Sequence, residues 1–214
     1  MKRPGIQDMG LALCLLLLAV IAFRPSGVLG SRLQAWNAER QVLALYRAEW
    51  REAASSRRST LGSDGDAPVI FEFSDYQCPF CRSSHEAVAG WATSAAARIV
   101  LVHVPLSDRS REAARAAVCA EEAGAFPRMH DYLMTNDEWV TEEAAWESTA
   151  DAADVPAGTW FARCLESTAT AERITRDSAL AVRWRVTATP TFVSAHAWTI
   201  GEVSDGDLET LLGR

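Results

Sequence analysis

The sequence predicts an α/β protein in which one mixed β-sheet is covered by helices and interrupted by a block of further helices. Three observations lead to this prediction. Residues 68–106 read as strand, helix and strand, residues 108–185 hold alanine-rich amphipathic segments, and residues 189–213 read as two short strands and a helix. A βαβ unit followed by a hairpin and a terminal helix makes one layered domain, so the helical block is an insertion.

The first 30 residues differ from the rest of the chain. Lys2 and Arg3 precede an apolar run over residues 9–23, which is shorter than the ~20 residues that a membrane-spanning helix needs. This pattern is typical of a secretory signal peptide, and an uncleaved membrane anchor is the alternative. Both interpretations place the rest of the chain outside the cytoplasm, in the periplasm or cell envelope, and the second adds membrane attachment through residues 9–23.

Residues 31–60 are predicted to form a spacer helix and a linker in front of the folded domain. Apolar residues from Leu33 to Ala53 recur at three- and four-residue steps, which indicates an amphipathic helix over residues 31–57. Such a helix could pack on the domain, lie near the membrane or associate with a second copy. Glycine, serine and aspartate in residues 58–67 indicate the linker.

The folded domain is predicted over residues 61–213. Residues 68–76 are β-branched and aromatic and predict a strand, which a helix follows over residues 79–97. The nearly continuous apolar run at residues 98–106 predicts a second strand, buried on both faces. The inserted helical subdomain, residues 108–185, divides into amphipathic segments at residues 108–123, 126–135, 141–152, 157–166 and 168–185.

The last part of the chain returns to the sheet. Residues 189–195 predict a third strand and residues 198–203 a fourth. Residues 204–213 predict a final helix with an aspartate near its start.

Composition excludes several classes of function. The 214-residue chain has a net charge of −7, so it lacks the basic surface that nucleic-acid binding requires. It contains one CxxC motif, and its four histidines show no paired spacing, whereas a structural zinc site usually needs four ligands. We therefore expect no metal, no cofactor and no nucleic-acid partner.

The CxxC motif, Cys78 and Cys81, is predicted to lie where the first strand of the domain meets its helix. Pro79 suits the first helical position, where no amide hydrogen is needed. Cys78 then faces the positive N-terminal end of the helix, which favours the thiolate over the thiol. A stabilised thiolate is also a good leaving group, which makes the disulfide oxidising. Cys81, one turn further, would be the shielded resolving thiol.

A metal clamp and an inert cross-link are the alternatives for this pair. The missing second pair of ligands argues against metal, and the position at a helix start favours a redox couple over a static disulfide. Export of the chain would permit disulfides, and four cysteines lie beyond residue 30.

Glu72 and Pro190 are two further candidate site residues. Glu72 lies mid-strand among apolar residues, where a carboxylate is costly unless it has a role, such as accepting the proton of Cys81. A solvent-facing position on an edge strand is the alternative. If the Thr189–Pro190 bond is cis, the backbone of Thr189 is exposed and can pair with an extended substrate; an ordinary trans bond is the alternative.

The stretches "APVIFEFSDYQCPFC" and "VTATPTF" resemble the DsbA-like thioredoxin-fold proteins, which are extracytoplasmic thiol–disulfide oxidoreductases. The resemblance implies a thioredoxin-like fold with an inserted helical domain. It also implies Cys78 as nucleophile, Cys81 as resolving cysteine and Pro190 as cis-proline, and Glu72 stands where the family often has a buried acid. The Pro79-Phe80 dipeptide replaces the Pro-His of the best-known oxidases, which removes one stabiliser of the thiolate.

Cys119 and Cys164 each lie within an alanine-rich helix of the insertion. A structural disulfide between them is the favoured interpretation, and two unpaired buried thiols or a second redox relay are the alternatives. His85, one turn after Cys81, is expected at the surface, and His103 in the core.

These observations predict an extracytoplasmic protein thiol–disulfide oxidoreductase, acting as an oxidase. Thr189, Pro79 and Phe80 are the residues expected to contact substrate. Protein thiols and a redox partner that recharges the cysteine pair are the expected partners. A reductase or isomerase is the alternative enzyme, and a thioredoxin-fold binding or chaperone module is the alternative without catalysis.

Overall fold

The computed structural model describes residues 20–21, 24, 27–55, 59–63, 67–94, 97–140 and 145–214. Most of the signal peptide or membrane anchor predicted at residues 1–30 therefore lies outside the described residues. Within the described ranges, no helix combines the length and the apolar character that crossing a membrane requires.

The chain divides into two units, Met1–Leu45 and Tyr46–Arg214, and helix α1, Val28–Ser55, contains the boundary between them. In the first unit, Trp36 on α1 is exposed. The second unit holds the rest of the described elements.

The described part of the second unit contains a five-stranded mixed sheet with the order β1–β3–β2–β4–β5. The strands are β1 (Thr60–Gly62), β2 (Val69–Ser74), β3 (Arg98–His103), β4 (Thr191–Val193) and β5 (Trp198–Ile200). β2 and β3 are parallel, and the other neighbouring pairs are antiparallel. The sheet thus has the βαβ start and the terminal hairpin that the sequence predicts.

Strand β1 corrects the sequence analysis, which places a linker at residues 58–67. It pairs with the outer side of β3, and its three residues are too few to carry a periodic pattern. Gly62 ends β1 with a φ of +83°, and a Cβ there would lie 2.3 Å from the carbonyl oxygen of Ala97. The position therefore requires glycine for both its conformation and the close approach of the chain.

Strand β2 is buried on both faces because it lies between β3 and β4. Successive side chains of a strand alternate between the faces, so Ile70 and Glu72 share one face and Phe71 and Phe73 the other. The Ile70 face is covered by helices α2 (Pro79–Ser94) and α8 (Asp205–Leu211), whose apolar residues belong to the same buried cluster as Ile70.

The opposite face of the sheet is covered by an aromatic cluster around Trp184. The ring of Phe71 lies 5.1 Å from that of Trp184, and the ring of Tyr46 lies 5.0 Å from it on another side. The Tyr46 hydroxyl also donates a hydrogen bond to the Trp184 carbonyl at 3.0 Å. The end of α1 therefore packs on the domain core, which is one of the arrangements that the sequence analysis allows for the spacer helix.

The helical insertion lies between β3 and β4. Its elements are α3 (Asp108–Glu122), α4 (Phe126–Thr135), a 3₁₀ turn (Glu138–Val140), α5 (Trp146–Ala152), α6 (Thr159–Glu166) and α7 (Thr168–Arg183). Ser107 and Ser167 cap α3 and α7 by accepting hydrogen bonds from backbone amides three residues on. The insertion and its helical character agree with the sequence analysis, and the helix ends differ from the predicted ones by a few residues.

Candidate active site

Cys78 lies in the turn between β2 and α2, at the residue before the helix begins. Its thiol donates a hydrogen bond to the carbonyl oxygen of Thr189 at 3.3 Å, and the residue is 9% exposed. Pro79 opens the helix at a position where a missing amide hydrogen costs nothing. The sulfur is thus held at the N-terminus of α2, against a backbone segment 111 residues away along the chain.

Cys81 lies one turn into α2 and is fully buried, and both Cys78 and Cys81 are free thiols. Burial raises the pKa of the Cys81 thiol well above its ordinary value, and the neighbouring Cys78 side chain and Glu72 charge raise it further. Cys81 therefore keeps its proton at neutral pH unless a base removes it.

Glu72 lies in the middle of β2, opposite Leu101 on β3 and Phe192 on β4. It is 2% exposed, which excludes a solvent-facing position on an edge strand. Burial raises the pKa of Glu72 to about 7. A carboxyl group with this pKa can both accept and donate a proton near neutral pH.

The Thr189–Pro190 peptide bond is cis, and Pro190 is buried directly before β4. Thr189 is half-buried, with its carbonyl oxygen against Cys78. Pro79 and Phe80 are exposed, Phe80 by 57%. The structure therefore brings Cys78, Thr189 and Pro190 together and leaves the dipeptide between the cysteines on the surface.

Asp75 is a residue of this site that the sequence analysis does not single out. Its buried carboxylate accepts hydrogen bonds from the backbone N–H groups of Gln77 and Cys78, at 2.6 and 3.1 Å. A signal for it exists, because aspartate side chains commonly bond to the backbone two residues on and so form turns. Its position before the helix is visible in the sequence, whereas its further contacts are not.

Arg82 is a second residue that the sequence analysis misses. Its guanidinium donates hydrogen bonds to the carbonyl oxygens of Leu133 and Asn136 at 2.8 and 3.1 Å, and to the Asp137 carboxylate at 2.7 Å. It also reaches the Tyr76 carbonyl at 3.4 Å. One side chain thus joins the CxxC helix, the turn before it and the C-terminal end of α4.

His85 is buried, at 5% exposure, although the sequence analysis expects it at the surface. Its Nε2 lies 2.8 Å from Oδ1 of Asp131, and its ring lies 4.9 Å from that of His130 on α4. Burial lowers the pKa of His130. No local pattern reveals this position, because the helix that covers His85 comes from the insertion. His103 is buried in β3.

Cys119 and Cys164 are joined by a disulfide bond that connects α3 to α6, with a sequence separation of 45 residues. The bond lies within the insertion. Cys78 and Cys81, at the start of α2, are therefore not part of this disulfide.

In the part of the chain that the structure describes, no group of three or more histidine, cysteine or acidic residues is arranged to hold a metal ion. Cys78 and Cys81 supply two sulfur atoms, whereas a structural zinc site usually has four ligands. The arrangement instead suits chemistry carried by the two sulfur atoms themselves, with a buried acid of suitable pKa beside them.

The thioredoxin family model matches residues 56–213, which is most of the chain. The chain therefore belongs to the thioredoxin family. This match and the observed topology confirm the predicted thioredoxin-like fold with an inserted helical domain.

Two solved structures resemble this chain over most of its length. A thioredoxin-like oxidoreductase from Silicibacter pomeroyi is 29% identical, with a TM-score of 0.67, covering 77% of this chain and 96% of that one. The thiol-disulfide exchange protein alpha-DsbA2 from Wolbachia pipientis is 12% identical, with a TM-score of 0.71, covering 83% and 97%. At that identity the second likeness concerns the fold alone. The predicted resemblance to DsbA-like thioredoxin-fold proteins is thereby confirmed at the level of the fold.

A curated relative covers a shorter stretch. The Na⁺/H⁺ antiporter NhaA 3 from Salinispora tropica is 37% identical over 78 residues, which are 34% of this chain. The match spans only 12% of the length of that antiporter.

Proposed function

We propose that the protein is an extracytoplasmic thiol–disulfide oxidoreductase that exchanges a Cys78–Cys81 disulfide with protein thiols and acts as an oxidase. The observation that carries this proposal is the contact of the Cys78 sulfur with the Thr189 carbonyl, at the N-terminus of α2. Cys78 is 9% exposed and lies beside the Thr189 backbone, along which an incoming chain could bind, whereas Cys81 is fully buried.

In the proposed reaction, a substrate thiolate attacks the Cys78 sulfur of the disulfide. A substrate–Cys78 bond forms, the Cys78–Cys81 bond breaks, and Cys81 leaves as a thiolate that takes up a proton. A second substrate thiolate then attacks the substrate sulfur of the mixed disulfide, and Cys78 leaves as a thiolate. The substrate loses two electrons and the CxxC pair gains them.

Glu72 is proposed to exchange the proton of Cys81. Burial raises the pKa of the Cys81 thiol and raises that of Glu72 to about 7, so the carboxyl group is the one that changes charge near neutral pH. In the oxidase direction it gives the proton to the leaving Cys81 sulfur. When a redox partner reoxidises the pair, it takes that proton back.

Thr189, Pro79 and Phe80 are proposed to contact the substrate. Thr189 offers its backbone beside the reactive sulfur, as an extended peptide would need. Pro79 and Phe80 are exposed next to Cys78, and the apolar ring of Phe80 suits an unfolded chain with exposed apolar side chains.

The N-terminal apolar run and the Cys119–Cys164 disulfide support a location outside the cytoplasm, because disulfides persist in oxidising compartments. In such a compartment the substrates are reduced, newly exported proteins, and the recharging partner is a second disulfide-carrying oxidant. This location is compatible with the proposed oxidase direction.

The test compares the wild type with a Cys78→Ser variant and with a control in which Cys119 and Cys164 are both alanine. The wild type and the control should oxidise a reduced, unfolded ribonuclease, and Cys78→Ser should not. Activity that survives Cys78→Ser would remove the enzymatic proposal and leave a binding or chaperone module.

A reductase or isomerase is separated from an oxidase by the equilibrium of the pair with glutathione. An oxidase favours the dithiol form at glutathione ratios that leave ordinary structural disulfides intact. If the Cys78–Cys81 pair stays oxidised at those glutathione ratios and the protein reduces insulin rapidly, the protein is a reductase or isomerase and the proposed oxidase direction is wrong.

A further inference from the structure

We infer that Asp75 is a positioning residue that holds Cys78 of the CxxC pair and whose negative charge makes the pair less oxidising. The inference rests on the proposed function, because it concerns the redox equilibrium of that same pair. It comes from the contacts of one buried side chain that is 2% exposed.

The Asp75 carboxylate accepts four hydrogen bonds. Oδ1 accepts from the backbone N–H groups of Gln77 at 2.6 Å and Cys78 at 3.1 Å, and from the Ser110 hydroxyl at 2.9 Å. Oδ2 accepts from the backbone N–H of Leu106 at 2.6 Å. Each partner is a donor, as an ionised carboxylate requires, since it has no hydrogen of its own to give.

These contacts fix the turn that carries the cysteines. Leu106 and Ser110 belong to the β3–α3 loop and to α3, so the carboxylate ties the start of α2 to the insertion. The Asp75 carbonyl also accepts from the Cys78 N–H at 3.2 Å. Asp75 therefore binds the backbone of Cys78 through both its side chain and its carbonyl group.

The charge of Asp75 has a further effect on Cys78. Amides at a helix N-terminus stabilise a thiolate there, but Asp75 already occupies the N–H groups of Gln77 and Cys78. Its four partners are three amides and a hydroxyl, which are neutral and leave the negative charge in place. A fixed anion one hydrogen bond from the backbone of Cys78 disfavours a second anion on its sulfur.

Other ionisable groups border this turn. Glu72 lies beneath it on β2 and adds negative charge when ionised, and the guanidinium of Arg82 reaches the Tyr76 carbonyl while it pairs with Asp137. Neither contacts the Asp75 carboxylate in the hydrogen bonds above. The direct anionic neighbour of the Cys78 amide is therefore Asp75.

The consequence concerns the balance between dithiol and disulfide. An ionised Cys78 sulfur adds a negative charge to the reduced form, whereas the disulfide is neutral, so a nearby carboxylate disfavours the reduced form. We therefore expect the Cys78–Cys81 disulfide to be harder to reduce in the wild type than in a variant with a neutral residue at position 75.

The experiment measures the equilibrium constant between the CxxC pair and glutathione for the wild type and for Asp75→Asn, which has the same shape without the charge. We expect this constant to shift toward the reduced protein by roughly threefold to tenfold, because removing a nearby unit charge changes the ionisation of a thiol by up to about one pKa unit. A second variant, Asp75→Ser, retains an acceptor for the turn amides and should shift the constant in the same direction.

Asp177→Asn is the matched control. Asp177 is fully buried and accepts the His103 N–H at 3.1 Å, so its substitution also perturbs a buried carboxylate, but away from the cysteines. It should lower the stability of the fold and leave the glutathione equilibrium unchanged. Thermal unfolding of each oxidised variant separates effects on stability from effects on the equilibrium.

An unchanged constant, or a shift toward the disulfide, in both Asp75→Asn and Asp75→Ser would overturn the inference. The proposed function would survive that result if Cys78→Ser still abolished exchange. A wild type that exchanges no disulfide at all would instead overturn the proposed function.

Discussion

Burial opposes the ionisation of Glu72. Its pKa rises from 4.5 to about 7 on folding, mainly because burial disfavours the charged form. Between these values the unfolded chain releases a proton that the folded chain keeps, so stability falls as the pH rises through this window. The cost reaches about 3 kcal/mol above pH 7, where both states are ionised.

We therefore expect Glu72→Gln to stabilise the protein at pH 8 and to have much less effect at pH 4. The gain at pH 8 should approach 2–3 kcal/mol, an order-of-magnitude figure from the pKa difference. Urea unfolding at the two pH values measures it. A variant whose gain is equal at both pH values would show that Glu72 does not titrate in the folded protein.

The same substitution should slow disulfide exchange, because glutamine cannot transfer the proton of Cys81. Loss of a general base commonly costs about 100-fold or more. Rates of oxidation of a reduced peptide from pH 6 to 8 check this. If Glu72→Gln keeps the rate and pH profile of the wild type, Glu72 has no part in proton transfer.

At the scale of elements, helix α2 is held to the insertion through Arg82. Three carbonyl oxygens and one carboxylate accept from its guanidinium, whose side chain is 18% exposed. Two of these carbonyls, of Leu133 and Asn136, lie at the C-terminal end of α4, where a cation also interacts favourably with the helix dipole.

We expect Arg82→Gln to lower the free energy of unfolding by about 2–4 kcal/mol, since it removes charge-assisted hydrogen bonds from a mostly buried site. Arg111→Gln is the control, because that arginine is exposed and lies 4.0 Å from Asp108. Its loss should cost less than about 0.5 kcal/mol. Denaturant unfolding compares the two variants. Equal effects would contradict the assigned role of Arg82.

The central elements could be predicted from the sequence, and the peripheral ones could not. β2 and β3 are continuous apolar strands buried on both faces, so their composition alone identifies them. β1 has three residues, too few for a sequence pattern, and is defined by its pairing with the outer side of β3. The packing of the end of α1 could not be predicted, because Tyr46 packs against Trp184, which is distant in the sequence.

The residues of the candidate site also fall into those that the sequence predicts and those that it does not. Cys78 and Cys81 could be predicted from the CxxC spacing and the proline after Cys78. Pro190 could be predicted from the threonine–proline pair before a strand. The roles of Asp75 and Arg82 depend on partners in the insertion, 31 and 51 residues or more along the chain. His85 is buried for the same reason, because α4 covers it. Such contacts follow from the tertiary fold and leave no periodic pattern.

At the scale of the whole molecule, covalent and ionic links hold the insertion together. The Cys119–Cys164 disulfide joins α3 to α6. Arg173 on α7 pairs with Glu121 on α3 at 3.4 Å and with the buried Asp177 at 3.6 Å. Asp177 in turn accepts the His103 N–H of β3, so this cluster also ties the insertion to the sheet.

We expect the double variant Cys119→Ala, Cys164→Ala to lose about 3–4 kcal/mol of stability, from the chain-entropy effect of opening a 45-residue loop. Its exchange activity below the unfolding transition should match that of the wild type. Thermal unfolding and the ribonuclease assay measure the two quantities. Loss of exchange in a folded double variant would mean that this disulfide takes part in the redox chemistry.

The most direct measurement is the identity of the cysteine that bonds to a substrate. The reduced Cys81→Ser variant is mixed with a disulfide-containing protein, so that an attacking thiolate forms a mixed disulfide and releases one substrate thiolate. The covalent complex is then digested and analysed by mass spectrometry. We predict a complex linked through Cys78, and none with Cys78→Ser. A Cys81→Ser variant that forms no complex, or one linked through Cys119 or Cys164, would contradict the proposed mechanism.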